Sequence, residues 1–173
     1  SAAELTSFTS QQGLGSDEVF ALLEDREGAL WMGTDGGGIG RFKDRRFSAY
    51  TAKDGLSNNN VNVVVEGGDG SMYFGTNGGL NKFSAGSWST ITTQQGLVNN
   101  AVTALWSDRL GKLWIGTANG LQSMKNGIFT TYTTNEGLPS NRIQSVYEDS
   151  DGAVWVGTES GAAKMMLQGA SLG

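Results

Sequence analysis

The stretch "GKLWIGTANGL", residues 111–121, decides the fold, because the chain repeats its plan three more times. Related segments are "GALWMGTDGGGI" (28–39), "GSMYFGTNGGL" (70–80) and "GAVWVGTESGA" (152–162). Each joins an apolar stretch with an aromatic residue to a Gly-Thr pair and a polar or glycine-rich loop. A single copy could be interpreted as a phosphate-binding loop or a ligand pocket, whereas four copies indicate a structural repeat.

Two dipeptides set the period of the repeat. Gly-Thr begins at 33, 75, 116 and 157, and Gly-Leu begins at 13, 55, 96 and 137, at the same distance before Gly-Thr in every copy. A period of about 41 residues is typical of a four-stranded propeller blade. The sequence therefore predicts an all-β fold, a β-propeller of four repeats in which each repeat is a four-stranded antiparallel blade.

The strands a to d of each repeat follow from short β-branched and aromatic runs. Strand a is predicted at 19–24, 61–66, 102–107 and 143–148, strand b ends at each Gly-Thr, and strand d is predicted at 46–51, 87–92 and 128–133. The fourth strand d is predicted at residues 4–9, because Leu5 and Phe8 precede Gly13 as Phe47 and Tyr50 precede Gly55. We expect one domain over 1–173, with blades at 15–51, 57–93, 98–134 and 139–173. The N-terminal strand would complete the last blade and so close the ring.

Composition excludes several classes of function. The net charge is -5 and the basic residues form no run beyond 43–46, which argues against nucleic acid as a partner. The chain has no cysteine and no histidine, so thiol nucleophiles, cysteine metal sites and the commonest general base are absent. No catalytic residue, cofactor or metal site is predicted. No segment is long enough for a membrane helix, and the first residues are consistent with an exported chain whose leader has been removed.

The repeated polar and aromatic residues are interpreted as scaffold. Gly111-Lys112 is followed by Leu113 and lacks the Ser/Thr of a phosphate loop. Aromatic residues recur in strand b, where inter-blade packing is favoured over sugar stacking: Trp31, Tyr73, Trp114 and Trp155. Short polar residues recur in the loop from strand d to strand a, where bonding to local backbone is favoured: Asp17, Asn59, Asn100 and Asn141.

Specificity is expected where equivalent positions differ between repeats, because variable loops on a constant scaffold carry binding. Such positions occur at the start of strand a and in the loop from strand b to strand c, which lie at the same end of the blades. The candidate ligand-binding residues are Glu18, Asn60, Asn62, Arg142, Gln144, Asp35, Asn77, Asn119 and Glu159.

The pattern "GLPSNRIQSVYEDSDGAVWVGTESG", residues 137–161, resembles the two-component regulator propeller repeat, and all four units carry it with substitutions. The resemblance implies a periplasmic or extracellular sensor propeller of bacterial histidine kinases, including regulators of polysaccharide use, and so linkage to a kinase in the parent protein. Relatives usually carry more repeats, commonly in rings of seven. Three arrangements stay open: a complete four-bladed ring, half of an eight-bladed homodimer, or a fragment of a larger ring.

The favoured function is non-catalytic: binding of a small polar ligand or oligosaccharide, or of a partner protein, at the loop end that carries the candidate residues. One alternative is a purely structural or assembly module. Another is a propeller lyase or glycosidase, in which two carboxylates such as Glu18 and Glu159 act as acid and base. Streptogramin lyases are propellers, but the absence of histidine counts against that relation.

Overall fold

The computed structural model describes residues 2–166, which form four antiparallel sheets in chain order. We call these sheets blades 1 to 4. Their strands are β1 (Val19–Glu24), β2 (Leu30–Thr34), β3 (Ile39–Lys43) and β4 (Arg46–Tyr50); β5 (Val61–Glu66), β6 (Met72–Thr76), β7 (Gly79–Ser84) and β8 (Ser87–Ile91); β9 (Val102–Ser107), β10 (Leu113–Thr117), β11 (Gly120–Lys125) and β12 (Ile128–Tyr132); and β13 (Ile143–Glu148), β14 (Val154–Thr158) and β15 (Gly161–Met165). The predicted all-β propeller architecture of four repeats is confirmed. The part of the predicted fourth blade at 167–173 lies outside the described residues.

A 3-10 turn precedes strand a in every repeat, which the sequence patterns above did not predict. The turns are Ser10–Gln12, Ala52–Asp54, Thr93–Gln95 and Thr134–Glu136. A threonine caps each turn and exchanges hydrogen bonds with the residue three positions later in a capping box. Strand d therefore ends one residue earlier than predicted in blades 1 to 3, because its expected last residue is this capping threonine.

The Gly-Leu marker ends each 3-10 turn and fixes it to the core. Its glycines have φ between 103° and 113°, a left-handed conformation that residues with a side chain rarely adopt. The following leucines are all buried: Leu14, Leu56, Leu97 and Leu138. The marker is thus a turn and a core anchor in two adjacent positions.

The Gly-Thr marker lies where one blade approaches the next. A Cβ atom on Gly75 would lie 2.5 Å from Val102 Cγ1, and one on Gly116 would lie 2.5 Å from Ile143 Cγ2. Each threonine hydroxyl then donates to a glycine carbonyl across the loop to strand c, at 2.7 to 3.0 Å. The glycine therefore permits close packing of the blades, and the threonine holds the loop at the end of strand b. These two roles explain why the plan of "GKLWIGTANGL" recurs in every blade.

The core is a series of inter-blade layers, and the blades form an open arc. Strand a packs on strand a of the next blade, β1 on β5, β5 on β9 and β9 on β13, and no comparable packing joins blade 4 to blade 1 within residues 2–166. Trp31 and Trp114 are 1% and 0% exposed, whereas the equivalent Trp155 of blade 4 is 41% exposed. At the other end, Phe20 and Leu22 of blade 1 are 50% and 63% exposed.

The N-terminal segment corrects one expectation. Residues 4–9 form no strand, and within the described residues the sheet of blade 4 consists of β13, β14 and β15. Phe8 instead packs on blade 1, with its ring centre 5.4 Å from those of Phe42 and Phe47. The segment does not complete blade 4 because the open arc leaves blade 4 apart from blade 1.

Candidate functional site

At the end of the blades that carries the candidate residues, the first residue before strand a and the first residue after strand b are joined by a backbone hydrogen bond. The N–H groups of Asp35, Asn77, Ala118 and Glu159 donate to the carbonyls of Glu18, Asn60, Ala101 and Arg142, at 3.0, 3.2, 3.0 and 3.3 Å. We call these eight residues the loop-end pairs. The backbone geometry is the same in every blade, so only the side chains distinguish one pair from another.

This geometry corrects the position assigned to Asn119. The residue equivalent to Asp35, Asn77 and Glu159 is Ala118, because its N–H group makes the repeated bond to strand a. Asn119 lies one position further and its N–H group donates to the Thr117 hydroxyl at 3.1 Å. Blade 3 therefore presents two alanines in its pair, Ala101 and Ala118.

The second residue of each strand a is an extra, bulged residue. The register with strand b shifts at this point in all four blades, and a bulge re-aims the side chain it carries. The bulged residues are Phe20, Asn62, Thr103 and Gln144. Asn62 Nδ2 donates to the Val102 carbonyl of the next blade at 2.9 Å and to Asn77 Oδ1 at 2.9 Å, and the Thr103 hydroxyl donates to the Ile143 carbonyl at 2.6 Å.

The loop-end pairs differ in charge from blade to blade. Blade 1 presents two carboxylates, blade 2 presents the amides Asn60 and Asn77, and blade 3 presents alanines. In blade 4, Arg142 Nη1 lies 3.8 Å from Glu159 Oε2 in an exposed ion pair. The structure therefore joins Asn62 to Asn77 and Arg142 to Glu159, whereas blade 3 lies between Asn60 and Arg142.

The carboxylates considered for catalysis lie on different blades. Glu18 belongs to blade 1, and Glu159 of blade 4 accepts a hydrogen bond from the Ser140 hydroxyl at 3.3 Å in addition to its pairing with Arg142. Blades 1 and 4 do not pack together in the part of the chain that is described. The remaining predicted residue, Gln144, is exposed on the uncovered side of blade 4.

The repeated Asp and Asn residues of the loop from strand d to strand a have a structural role. Their side-chain oxygens accept from the first N–H group of the preceding 3-10 turn, seven residues earlier, at 2.6 to 2.8 Å: Asp17, Asn59, Asn100 and Asn141. Backbone hydrogen bonding from Ser10 lowers the pKa of the Asp17 carboxyl below its ordinary value. Short Asn residues at 58 and 99 form the Asx turns instead.

The tryptophans of strand b are held by aspartates of the preceding turn rather than presented to a ligand. The indole N–H groups of Trp31, Trp114 and Trp155 donate to Asp25, Asp108 and Asp149 at 2.7, 3.0 and 2.7 Å. The bond from Trp155, followed by that from the Ala153 N–H group, lowers the pKa of Asp149. In the segment "EDSDG" at 148–152, the Asp149 carboxylate therefore stabilises its own turn.

Surface clefts, which the sequence did not predict, lie at the opposite end of the blades. One of about 440 Å³ lies between blades 2 and 3. At the neighbouring interfaces, Arg26 Nε lies 3.4 Å from Glu66 Oε1, and Arg109 Nε lies 2.7 Å from Glu148 Oε1. The interface between blades 2 and 3 has Gly68 and Ser107 at these positions, so that the arginine–glutamate bridge is missing there. Comparison of the repeats position by position would have revealed this difference.

Comparison with known families and structures agrees with this architecture. A model of the family described as "Two component regulator propeller" matches residues 13–36, 55–78 and 137–160. No curated protein matches the sequence significantly. The described residues contain no helix that is long and apolar enough to cross a membrane.

Solved structures with a similar fold include the extracellular domain assigned to a hybrid two-component system from B. thetaiotaomicron. It is 26% identical with a TM-score of 0.85, over 93% of this chain and 23% of that domain. Another extracellular domain from the same organism, assigned to a one-component system, is 22% identical with a TM-score of 0.80, over 95% and 23%. Virginiamycin B lyase from Staphylococcus aureus is 16% identical with a TM-score of 0.65, over 88% and 57%, which shows a shared fold alone. The chain thus spans about a quarter of the length of the two extracellular domains.

Proposed function

We propose that this chain, whose repeats match the two-component regulator propeller model at residues 13–36, 55–78 and 137–160, is a non-catalytic ligand-binding part of a sensor propeller. Its ligand is a small polar molecule, with an oligosaccharide as the favoured class, or a surface of a partner protein. The extracellular domains that share its fold support a periplasmic or extracellular location and a histidine kinase in the parent protein. The proposed binding role requires no catalytic group.

One observation supports this proposal: the backbone of the loop-end pairs is the same in all four blades, whereas their side chains differ. Four equal backbone pairs present carboxylates, amides, methyl groups and an ion pair in turn. Amide groups both donate and accept hydrogen bonds, as hydroxyl groups of a sugar require. We therefore place the sugar-binding position at Asn60, Asn62 and Asn77 of blade 2, with Glu18 and Asp35 of blade 1 on one side.

The test is a panel of neutral and acidic oligosaccharides, measured by calorimetry or by thermal stabilisation. Asn77→Ala removes an exposed amide and the acceptor of the Asn62 bond, and Asn60→Ala removes a second amide. We expect each to weaken binding several-fold without lowering the unfolding temperature by more than a few degrees. Ser87→Ala, on an exposed residue at the opposite end of blade 2, is the matched control. Unchanged affinity in both asparagine variants would refute this position.

A second proposal concerns assembly, because the two outer faces of the arc are complementary. Gly157 of blade 4 leaves the space that Val61, Val102 and Ile143 fill over the other Gly-Thr glycines, and the equivalent Val19 of blade 1 is 38% exposed. Phe8 packs on Phe47 of blade 1 as Tyr50 packs on Trp88 of blade 2, with inclined rings whose centres are 5.4 Å and 5.3 Å apart. We propose that a second copy packs its blade 4 on this face, so that two chains form an eight-bladed homodimer.

Sedimentation or light scattering across a range of protein concentrations tests the assembly. The proposal expects a dimer that dissociates when Val19→Asp places a charge on the contact face. The matched control is Leu110→Asp, at an exposed residue in the turn between strands a and b of blade 3. It should leave the mass of the assembly unchanged. A strictly monomeric chain would exclude the homodimer and favour repeats of a longer parent protein as the cover of these faces.

A further inference from the structure

The hairpin between β3 and β4 carries a concentration of positive charge on an otherwise acidic chain. Four basic residues fall within the six positions 41–46: Arg41, Lys43, Arg45 and Arg46. The net charge of the whole protein is -5. In the strand register, Lys43 is opposite Arg46 and Arg41 is opposite Ser48, so the side chains of Arg41, Lys43, Arg46 and Ser48 share one face of the sheet. Arg45 lies in the turn beside them. With Asp44, those four side chains of the shared face line a cleft of about 360 Å³. We call this cleft the blade 1 hairpin groove.

The cations of the groove, and Arg45 beside it, form few ion pairs. Lys43 Nζ lies 3.2 Å from Glu27 Oε2, but no described ion pair within residues 2–166 involves Arg41, Arg45 or Arg46. The guanidinium carbon of Arg41 lies 4.9 Å from the ring centre of Trp31, and its Nε atom is buried without a hydrogen-bond partner. A buried N–H donor without an acceptor is unfavourable.

The turn of this hairpin departs from its counterparts in a way that adds charge. Asp44 and Arg45 both have left-handed backbone, with φ of 51° and 62°. The position of Arg45 is occupied by Gly86 in blade 2 and by Gly127 in blade 3, with φ of 78° and 76°. A side chain disfavours this conformation relative to glycine. The fold thus tolerates an unfavourable arginine beside the groove where its own repeats use glycine.

The other positions of the groove also differ from their equivalents. Arg46 corresponds to Ser87 in blade 2 and to Ile128 in blade 3, while the sister of Arg41 in blade 2, Lys82, is paired with Asp69 at 3.0 Å. Guanidinium groups bind planar and tetrahedral oxyanions through two parallel N–H donors. We propose that the blade 1 hairpin groove is a binding site for a doubly charged oxyanion group of the sulfate or phosphate type. This site lies at the end of the blades opposite the loop-end pairs and does not depend on their function.

The test is calorimetric titration of the full chain with sodium sulfate and with sodium phosphate at pH 7.5, at an ionic strength held constant with sodium chloride. Sodium acetate is the singly charged comparison. We expect saturable binding of sulfate and phosphate, with acetate weaker. Arg46→Ser, which installs the blade 2 residue, should weaken binding roughly fivefold, as expected for loss of one partly exposed ionic contact. Lys53→Ser removes one positive charge from the 3-10 turn at the other end of blade 1 and should leave the affinity unchanged.

Arg45→Gly separates a binding role from a structural one. The variant restores the residue of the sister turns, so the midpoint of urea unfolding should rise. The affinity for sulfate should fall, because one positive charge beside the groove is lost. Because this protein should be at least as stable as the parent, weaker binding cannot result from misfolding. Two results would overturn the proposal: no saturable binding of either oxyanion, or binding to Arg46→Ser and Arg45→Gly that equals that of the parent.

Discussion

The side chain of Val102 occupies the space that a side chain at Gly75 would need, with 2.5 Å between Val102 Cγ1 and the position of a Cβ atom. The two residues lie on neighbouring blades, so the glycine sets how closely blade 3 approaches blade 2. The contact recurs between Gly33 and Val61 and between Gly116 and Ile143. It therefore explains the most regular feature of the sequence through packing rather than through ligand binding.

Gly75→Ala should destabilise the protein by about 1 to 3 kcal/mol, because overpacking in a tight interface forces strain on its neighbours. Gly157→Ala, in the monomer, is the matched comparison, because the nearest atoms to its added Cβ all belong to Ser145 of the same blade and none to a neighbouring blade. Urea unfolding measures both. Equal costs at Gly157 and Gly75 in the monomer would contradict the role assigned to the neighbouring blade.

Asp108→Ala should lower the free energy of unfolding by about 1 kcal/mol more than Asp149→Ala does. Both aspartates accept two backbone N–H groups of their turn and one indole N–H group. The indole of Trp114 is buried and would lose its acceptor, whereas water can reach that of Trp155. Guanidinium unfolding of the two variants gives the difference. Equal losses would contradict the role assigned to burial.

The stability of the chain should fall in acid in part through Asp17. Its pKa is lowered in the folded state by hydrogen bonding from the Ser10 backbone. A lowered pKa stabilises the fold above the ordinary value of 3.8, and this contribution is lost as the pH falls through the folded pKa. Asp17→Asn keeps the acceptor, as in the other three repeats, and removes the charge. Thermal unfolding should show a smaller loss between pH 5 and pH 2 in the variant, and an unchanged pH profile would exclude this role.

The missing bridge between blades 2 and 3 can be supplied. Gly68→Arg and Ser107→Glu together place the pair that joins blades 1 and 2 through Arg26 and Glu66. A double-mutant cycle should give a favourable coupling of roughly 0.2 to 1 kcal/mol, the range of exposed ion pairs. High salt should reduce it. A coupling of zero at low salt would show that the two positions do not meet as their equivalents do.

Much of the fold follows from the sequence because the repeat carries redundant information. The bounds of strand a were predicted to the residue in all four blades, since each copy has the same apolar run before the turn. The 3-10 turns were missed although their signal is present: Thr9, Thr51, Thr92 and Thr133 each precede by three positions a Gln, Asp or Glu, the pattern of a capping box. The misplacement of Asn119 came from matching polar character rather than distance from Gly-Thr.

Closure of the ring could not be predicted in the same way. It depends on the rotation between neighbouring blades, which small differences of packing at three interfaces determine together. The sequence showed the strand-d pattern around Leu5 and Phe8 but not the distance of that segment from blade 4. The blade 1 hairpin groove was visible only as a short basic run, because strand register and turn conformation decide which side chains share a face.

Each blade packs only on the blades next to it in the chain within the described residues, and this has a thermodynamic consequence. Stability in such an array approximates a sum of blade and nearest-neighbour terms. Blades 2 and 3 each have two such interfaces and blades 1 and 4 have one, so opening should begin at the ends and proceed inward. Amide hydrogen exchange in a monomer should then be slowest in β6 and β10 and faster in β2 and β14. The arc behaves as a short cooperative chain whose ends fray, and any partner that covers an end blade acts as a cap on that fraying.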